Sequence, residues 1–155
     1  MSYRIIGLDP GPFETLHALS DEVLVARGAR RCTVTEKPGF PDRVELRDLE
    51  IGETALLLNY VHQDAATPYR ASHAIFVGER STRRYEAVDA VPAMLRLRPL
   101  SLRAFDAGHM LHDACLAAGP EIEAAIDRLL GDERTAYIQV HFARPGCYAA
   151  RIERA

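Results

Sequence analysis

Apolar residues in this chain come in short runs broken by glycine, proline or charge, and no run approaches the ~20 consecutive positions needed to cross a bilayer. Runs this short, bounded by such breaks, are the pattern of β-strands. Strands are accordingly expected over residues 3–7, 31–35, 54–61, 72–77, 95–105, 110–116, 136–142 and 147–153. Only "GPEIEAAIDRLLG" sustains a helical period, with Ile122, Ala125, Ile126, Leu129 and Leu130 forming one stripe. Pro120 suits the first turn of that helix, Glu121 and Glu123 complement its positive end, and Gly131 follows the last apolar position. A shorter helix is expected after Ser20 as N-cap, stopping at Gly28, and another over residues 13–19. "EKPGFPDR", residues 36–43, must be a loop because two prolines and a glycine disfavour regular pairing. "FDAGHM" reads as a hairpin, and "ARPGCY" as a longer connection between the last two strands. Strands joined by short turns predict an α+β fold: a mainly antiparallel sheet of about six to eight strands with two or three helices packed against it.

The 155 residues, 48% of them apolar, match a single domain spanning 1–155. The opening "MSYRIIGLDPG" lacks the basic and long apolar regions of a secretory signal, so a cytoplasmic location is expected, without a membrane partner. Cys32, Cys115 and Cys147 are odd in number and widely spaced, which predicts thiols in a reducing compartment instead of a disulfide framework. A net charge of −3 and a pI near 6.1 offer no cationic excess for a phosphate backbone, so nucleic acid is not an expected partner.

Two places could carry chemistry. In "TALLLNYVHQ" the period of two sends Leu56, Leu58, Tyr60 and His62 to one face and Leu57, Asn59 and Val61 to the other. Both faces are largely apolar, which predicts a central strand buried on both sides, with Asn59 hydrogen-bonded. If it pairs antiparallel with "SHAIFV", Tyr60 and His62 approach Tyr69, Arg70, Ser72 and His73 at one sheet end. Arg70 would hold a carboxylate or phosphate, His73 or His62 would transfer protons, and Tyr69 would orient the ligand. The plainer alternative is a loop-to-strand junction in which Tyr69 packs, Arg70 pairs with Asp64 and His73 is an ordinary strand histidine.

In "YIQVHFARPGCYAAR" a polar face of Tyr137, Gln139 and His141 alternates with Ile138, Val140 and Phe142. Cys147 follows the loop and could meet His141, the pairing a thiolate nucleophile needs. Its alternative is a small buried cysteine beside a surface histidine. "HMLHDAC" places His109, His112 and Cys115 three apart, a spacing that neither a strand nor a helix gathers onto one metal, so no metal is expected. Phosphate-cradling glycine loops and paired C-x-x-C motifs are absent, and no cofactor is expected.

"LLLNYVHQ" with "TPYRASHAIFV", then "LSLRAFDA", then "YIQVHFARPGCYAARI" resemble an uncharacterised bacterial family, domain of unknown function 1203. The likeness extends from "YRIIGLDPGPF" to the C-terminus and implies a complete single-domain member. It implies no reaction, cofactor or catalytic residue. The family pattern often has a cysteine after the "GFP" turn where this chain has Asp42, so a mechanism using two cysteines would not carry over. Three readings stay open: a small protein or enzyme that binds an anionic ligand at Tyr60, Tyr69, Arg70, Ser72 and His73; a noncatalytic interaction module, expected as a homodimer; and a thiol-dependent redox role at Cys147 with His141.

Overall fold

A computed structural model describes residues 1–155. The chain runs β1 (Tyr3–Ile6), α1 (Gly11–His17), α2 (Asp21–Ala26), β2 (Arg30–Thr33), β3 (Thr54–Gln63), β4 (Ala71–Gly78) and β5 (Glu86–Val88). It continues through α3 (Ala93–Arg96), β6 (Leu100–Phe105), β7 (Leu111–Ala117), a 3₁₀ turn (Gly119–Glu121), α4 (Ile122–Leu130), β8 (Tyr137–Phe142) and β9 (Tyr148–Arg154). Nine strands form two sheets, one of order β5-β1-β9-β8-β6-β7 and one of order β2-β3-β4. Every strand pairing is antiparallel, so the α+β class expected from short turns holds.

The large sheet has two differently built faces. On one, α4 buries the stripe Ile122, Ile126, Leu129 and Leu130 against strand residues that include Leu100, Leu102, Ile138 and Val140. Removing that apolar area from water is the main stabilising term of the fold. The opposite face meets the small sheet, where Ile75, Val77 and Tyr148 pack with Val44, Leu8 and Phe13. Helices α1 and α2 close this second layer: Leu24 packs on Ala29 and Leu56, with Leu16 and Leu19 beside them. Ser20 caps α2 as expected, its Oγ accepting the Val23 amide at 3.3 Å.

Several expectations need correction. Residues 95–105 are not one strand: Met94 and Leu95 belong to α3, and β6 begins only after Pro99, whose missing N–H cannot join the ladder. Helices therefore number four, and the three-residue β5 raises the strands to nine, in two sheets. β3 is central in its sheet but not buried on both sides. Leu56, Leu58 and Tyr60 face the large sheet, while Asn59 is exposed and Val61 is 40% exposed on the outer face. A three-stranded sheet has too little chain to cover its outer side, and the 34–53 loop reaches only one end of it, through Val34, Leu49 and Phe40.

Candidate functional site

The loop from β2 to β3 does more than connect. Its residues 41–44 run along the free edge of β4: Asp42 bridges Phe76 in parallel, the Arg43 amide donates to the Phe76 carbonyl at 3.2 Å, and Asp42 Oδ1 accepts the Gly78 amide at 2.9 Å. On the other side Leu8 N donates to the Arg43 carbonyl at 2.7 Å and Tyr85 N to the Val44 carbonyl at 2.8 Å. This backbone harness drives the Arg43 side chain into the interior, where it is 1% exposed. Its Nε donates to the Tyr148 carbonyl at 2.7 Å, one terminal nitrogen donates to the Pro41 carbonyl, and the other reaches Cys147 Sγ at 3.1 Å.

No carboxylate hydrogen-bonds Arg43: the two oxygens of neighbouring Asp42 accept the Gly78 and Glu45 amides, and its charge favours the guanidinium only through space. Burial lowers the guanidinium to about 10, with Cys147 the first influence acting against that fall. At neutral pH it is still a full positive charge. A buried charge needs a counter-charge or complete hydrogen bonding. Of its three acceptors, two are backbone carbonyls and only the sulfur can itself become an anion.

Cys147 and Arg43 form the floor of a cleft of about 510 Å³ between the edge of β4 and the β8–β9 turn, within the range of ligand sites. Arg98, Arg144 and His73 supply its other polar groups, and no acidic side chain lines it. Phe76, Phe142, Leu57, Leu97 and several prolines form apolar walls. The guanidinium carbons of Arg43 and Arg98 lie 5.0 and 4.9 Å from the Phe142 ring centroid, a cation–π arrangement that fixes the ring. Arg98 is anchored by both oxygens of Asp48 and by the Met94 carbonyl. Arg144, in contrast, is exposed at the tip of the β8–β9 turn, with no carboxylate within ion-pair reach. The turn closes through Gly146 N to Phe142 O at 2.8 Å and Phe142 N to Cys147 O at 2.9 Å, and φ of +83° at position 146 calls for glycine.

A separate polar cluster lies between the sheets. The register of β3 against β4 slips between Val61 and Gln63, so that His62 and Gln63 both turn to the large sheet. Gln63 donates to Tyr137 Oη at 2.8 Å, and His62 Nδ1 meets Gln139 Oε1 at 2.8 Å. Gln139 Nε2 donates back to the His62 carbonyl at 2.9 Å, which sets the orientation of the amide. His141 Nδ1 lies 3.0 Å from the Gly146 carbonyl, and its Nε2 is 3.2 Å from the same Gln139 oxygen. Burial, above all, pushes His141 down to about 3 and His62 in the same direction. His62 stacks on Tyr148 at 5.6 Å between ring centroids.

The residues singled out by sequence thus part company. His73 and Cys147 line the cleft. His62 and His141 sit in the inter-sheet cluster, where His141 is wholly buried instead of at the surface, and the polar partner of Cys147 is Arg43, not His141. Tyr60 lies opposite His73 in the register, as antiparallel pairing required, but its ring packs between Phe13 and Tyr148, at 6.1 and 6.2 Å. Tyr69 sets its ring edge against Phe105, Ser72 is exposed, and Arg70 pairs with Asp64 at 2.6 Å, outside the cleft. Arg43 and Arg98 were missed, since nothing in "FPDRV" or "LRLRPL" distinguishes a buried guanidinium from a solvated one.

The family described as "Protein of unknown function (DUF1203)" matches residues 39–154, three quarters of the chain, and the chain belongs to that family. No curated protein and no solved structure matches it. No helix is long and apolar enough to cross a membrane.

Proposed function

We propose that this DUF1203 member binds a small anionic molecule in the cleft and presents to it, as a nucleophile, the Cys147 sulfur that accepts the Arg43 guanidinium. The observation that carries the reading is the fully buried guanidinium whose one non-backbone acceptor is a cysteine sulfur at the floor of an open, acid-free cleft. A guanidinium against sulfur stabilises negative charge there, and a thiolate is the nucleophilic form of cysteine. The three unpaired cysteines fit a reducing compartment, and we place the protein in the cytoplasm.

Competing alkylation tests this. Iodoacetate and iodoacetamide both react by thiolate displacement of iodide to give a thioether, but only the first carries a carboxylate. Peptide mapping reports Cys32, Cys115 and Cys147 separately in the folded protein. Cys147 should react at least ~10 times faster with iodoacetate than with iodoacetamide, a ratio absent at the other two cysteines and lost in Arg144→Ala. A Cys147 that is the slowest of the three and indifferent to reagent charge would make it a packing residue.

A further inference from the structure

The charges around the cleft limit what can occupy it, given the binding reading above. Arg98 is neutralised by Asp48, a pair with side-chain exposures of only 18% and 5%. Arg43 is satisfied by two carbonyls and the Cys147 sulfur. His73 has committed Nδ1 to the Ala74 carbonyl at 3.1 Å, leaving Nε2 towards Gly146. One full cationic charge, Arg144, remains without a partner at the rim. The remaining wall is apolar: Phe76 and Leu57 pair across the small sheet on one side, and Phe142 and Leu97 lie on the other. Leu97 is 63% exposed at the mouth of the cleft, where it adds to the apolar wall.

We infer that the cleft takes an amphipathic monoanion, a carboxylate on an apolar body, with the carboxylate on the Arg144 guanidinium and the body between Phe76 and Phe142. A single free guanidinium matches one carboxylate through two parallel N–H···O bonds. A second anionic group would find no further free cation among the lining residues, and burying it unpaired would oppose binding. Apolar mass gains from the walls in proportion to the area it covers, about fourfold in affinity per buried CH₂.

Calorimetric titration with acetate, butyrate, hexanoate and octanoate, with hexanamide and inorganic phosphate as controls, decides the matter. Affinity should climb about fourfold per methylene from butyrate to octanoate. Hexanamide should bind at least ~10 times more weakly than hexanoate, and Arg144→Ala should erase that difference without moving the melting temperature. Phe76→Ala should flatten the chain-length dependence while keeping the preference for the acid. Phosphate or acetate binding as well as octanoate would overturn the inference, as would hexanamide matching hexanoate or binding at all strengths unchanged in Arg144→Ala. Octanoate binding alongside a sluggish Cys147 would retain the amphipathic ligand and discard the thiolate, whereas fast charge-selective alkylation without any carboxylate binding would do the reverse.

Discussion

Arg43 concentrates the local physics of the site in one side chain. Truncating it would strand the Tyr148 and Pro41 carbonyls and open a void, a loss of about 3–5 kcal/mol. The informative comparison is a cycle of Arg43→Met, Cys147→Ala and the double variant, followed by urea unfolding at pH 7.5. If sulfur is the counter-charge, removing both partners together costs less than the sum of the single losses by about 1 kcal/mol or more. Additivity within ~0.4 kcal/mol would mean that the two merely touch. Residue identity could announce a cysteine and a histidine as chemically able, and His73 and Cys147 do reach the cleft. It could not announce Arg43, because the burial of this arginine is imposed by hydrogen bonds to β4 and to Leu8, each distant in sequence. Arg70, attractive beside Tyr69 and His73, had Asp64 six positions away to satisfy it.

At the level of elements, alternation in β8 was legible: Tyr137, Gln139 and His141 do share a face, and Ile138, Val140 and Phe142 do join the core cluster that holds the α4 stripe, Phe142 also walling the cleft. What alternation could not say is that the polar face would be covered. All six residues of β8 are buried, and the polar three are matched by His62 and Gln63 only because a bulge rotates the end of β3. A bulge leaves no mark in a sequence that reads as a clean run of ten. The same holds where β1 ends against the 41–44 segment. A Cβ on Gly7 would lie 2.2 Å from the Val44 carbonyl oxygen and 3.1 Å from that of Arg43, both backbone atoms. Gly7→Ala should therefore push that segment off the edge of β4, destabilising by about 2–3 kcal/mol and loosening Arg43 from Cys147. Thermal unfolding reads the first effect and the Cys147 alkylation rate the second. An alanine variant with the parental melting temperature and rate would show that the segment is not held there.

The molecule as a whole is two sheets pressed together over a polar seam, and that seam makes its stability depend on pH. His141, its ordinary value near 6.5, is held down to about 3 chiefly because the large and small sheets exclude water from it, with Arg103 and His62 adding positive charge nearby. His62 is shifted the same way. Above pH ~6.5 both histidines are neutral folded or unfolded, and pH has no purchase on them. As pH falls from there towards 3, the unfolded chain takes up a proton that native His141 refuses, so stability drops by up to about 1.4 kcal/mol per pH unit for that group, and His62 acts in the same direction. Depressed carboxylates act in the same direction but only lower down: Glu53, held to about 2 chiefly by hydrogen bonds from Arg47, begins to matter below its ordinary 4.5. The interval from pH 6.5 to 4.5 therefore belongs to the histidines. Asparagine can place an amide N–H where imidazole Nδ1 meets the Gly146 carbonyl, but it does not titrate. Unfolding free energies of the parent and of His141→Asn at pH 7.5, 6.5, 5.5 and 4.5 should show a variant weaker at 7.5 but with a shallower fall through that interval. Two parallel curves would mean that His141 takes up its proton in the folded state as readily as in the unfolded one, and that the seam between the sheets is wet.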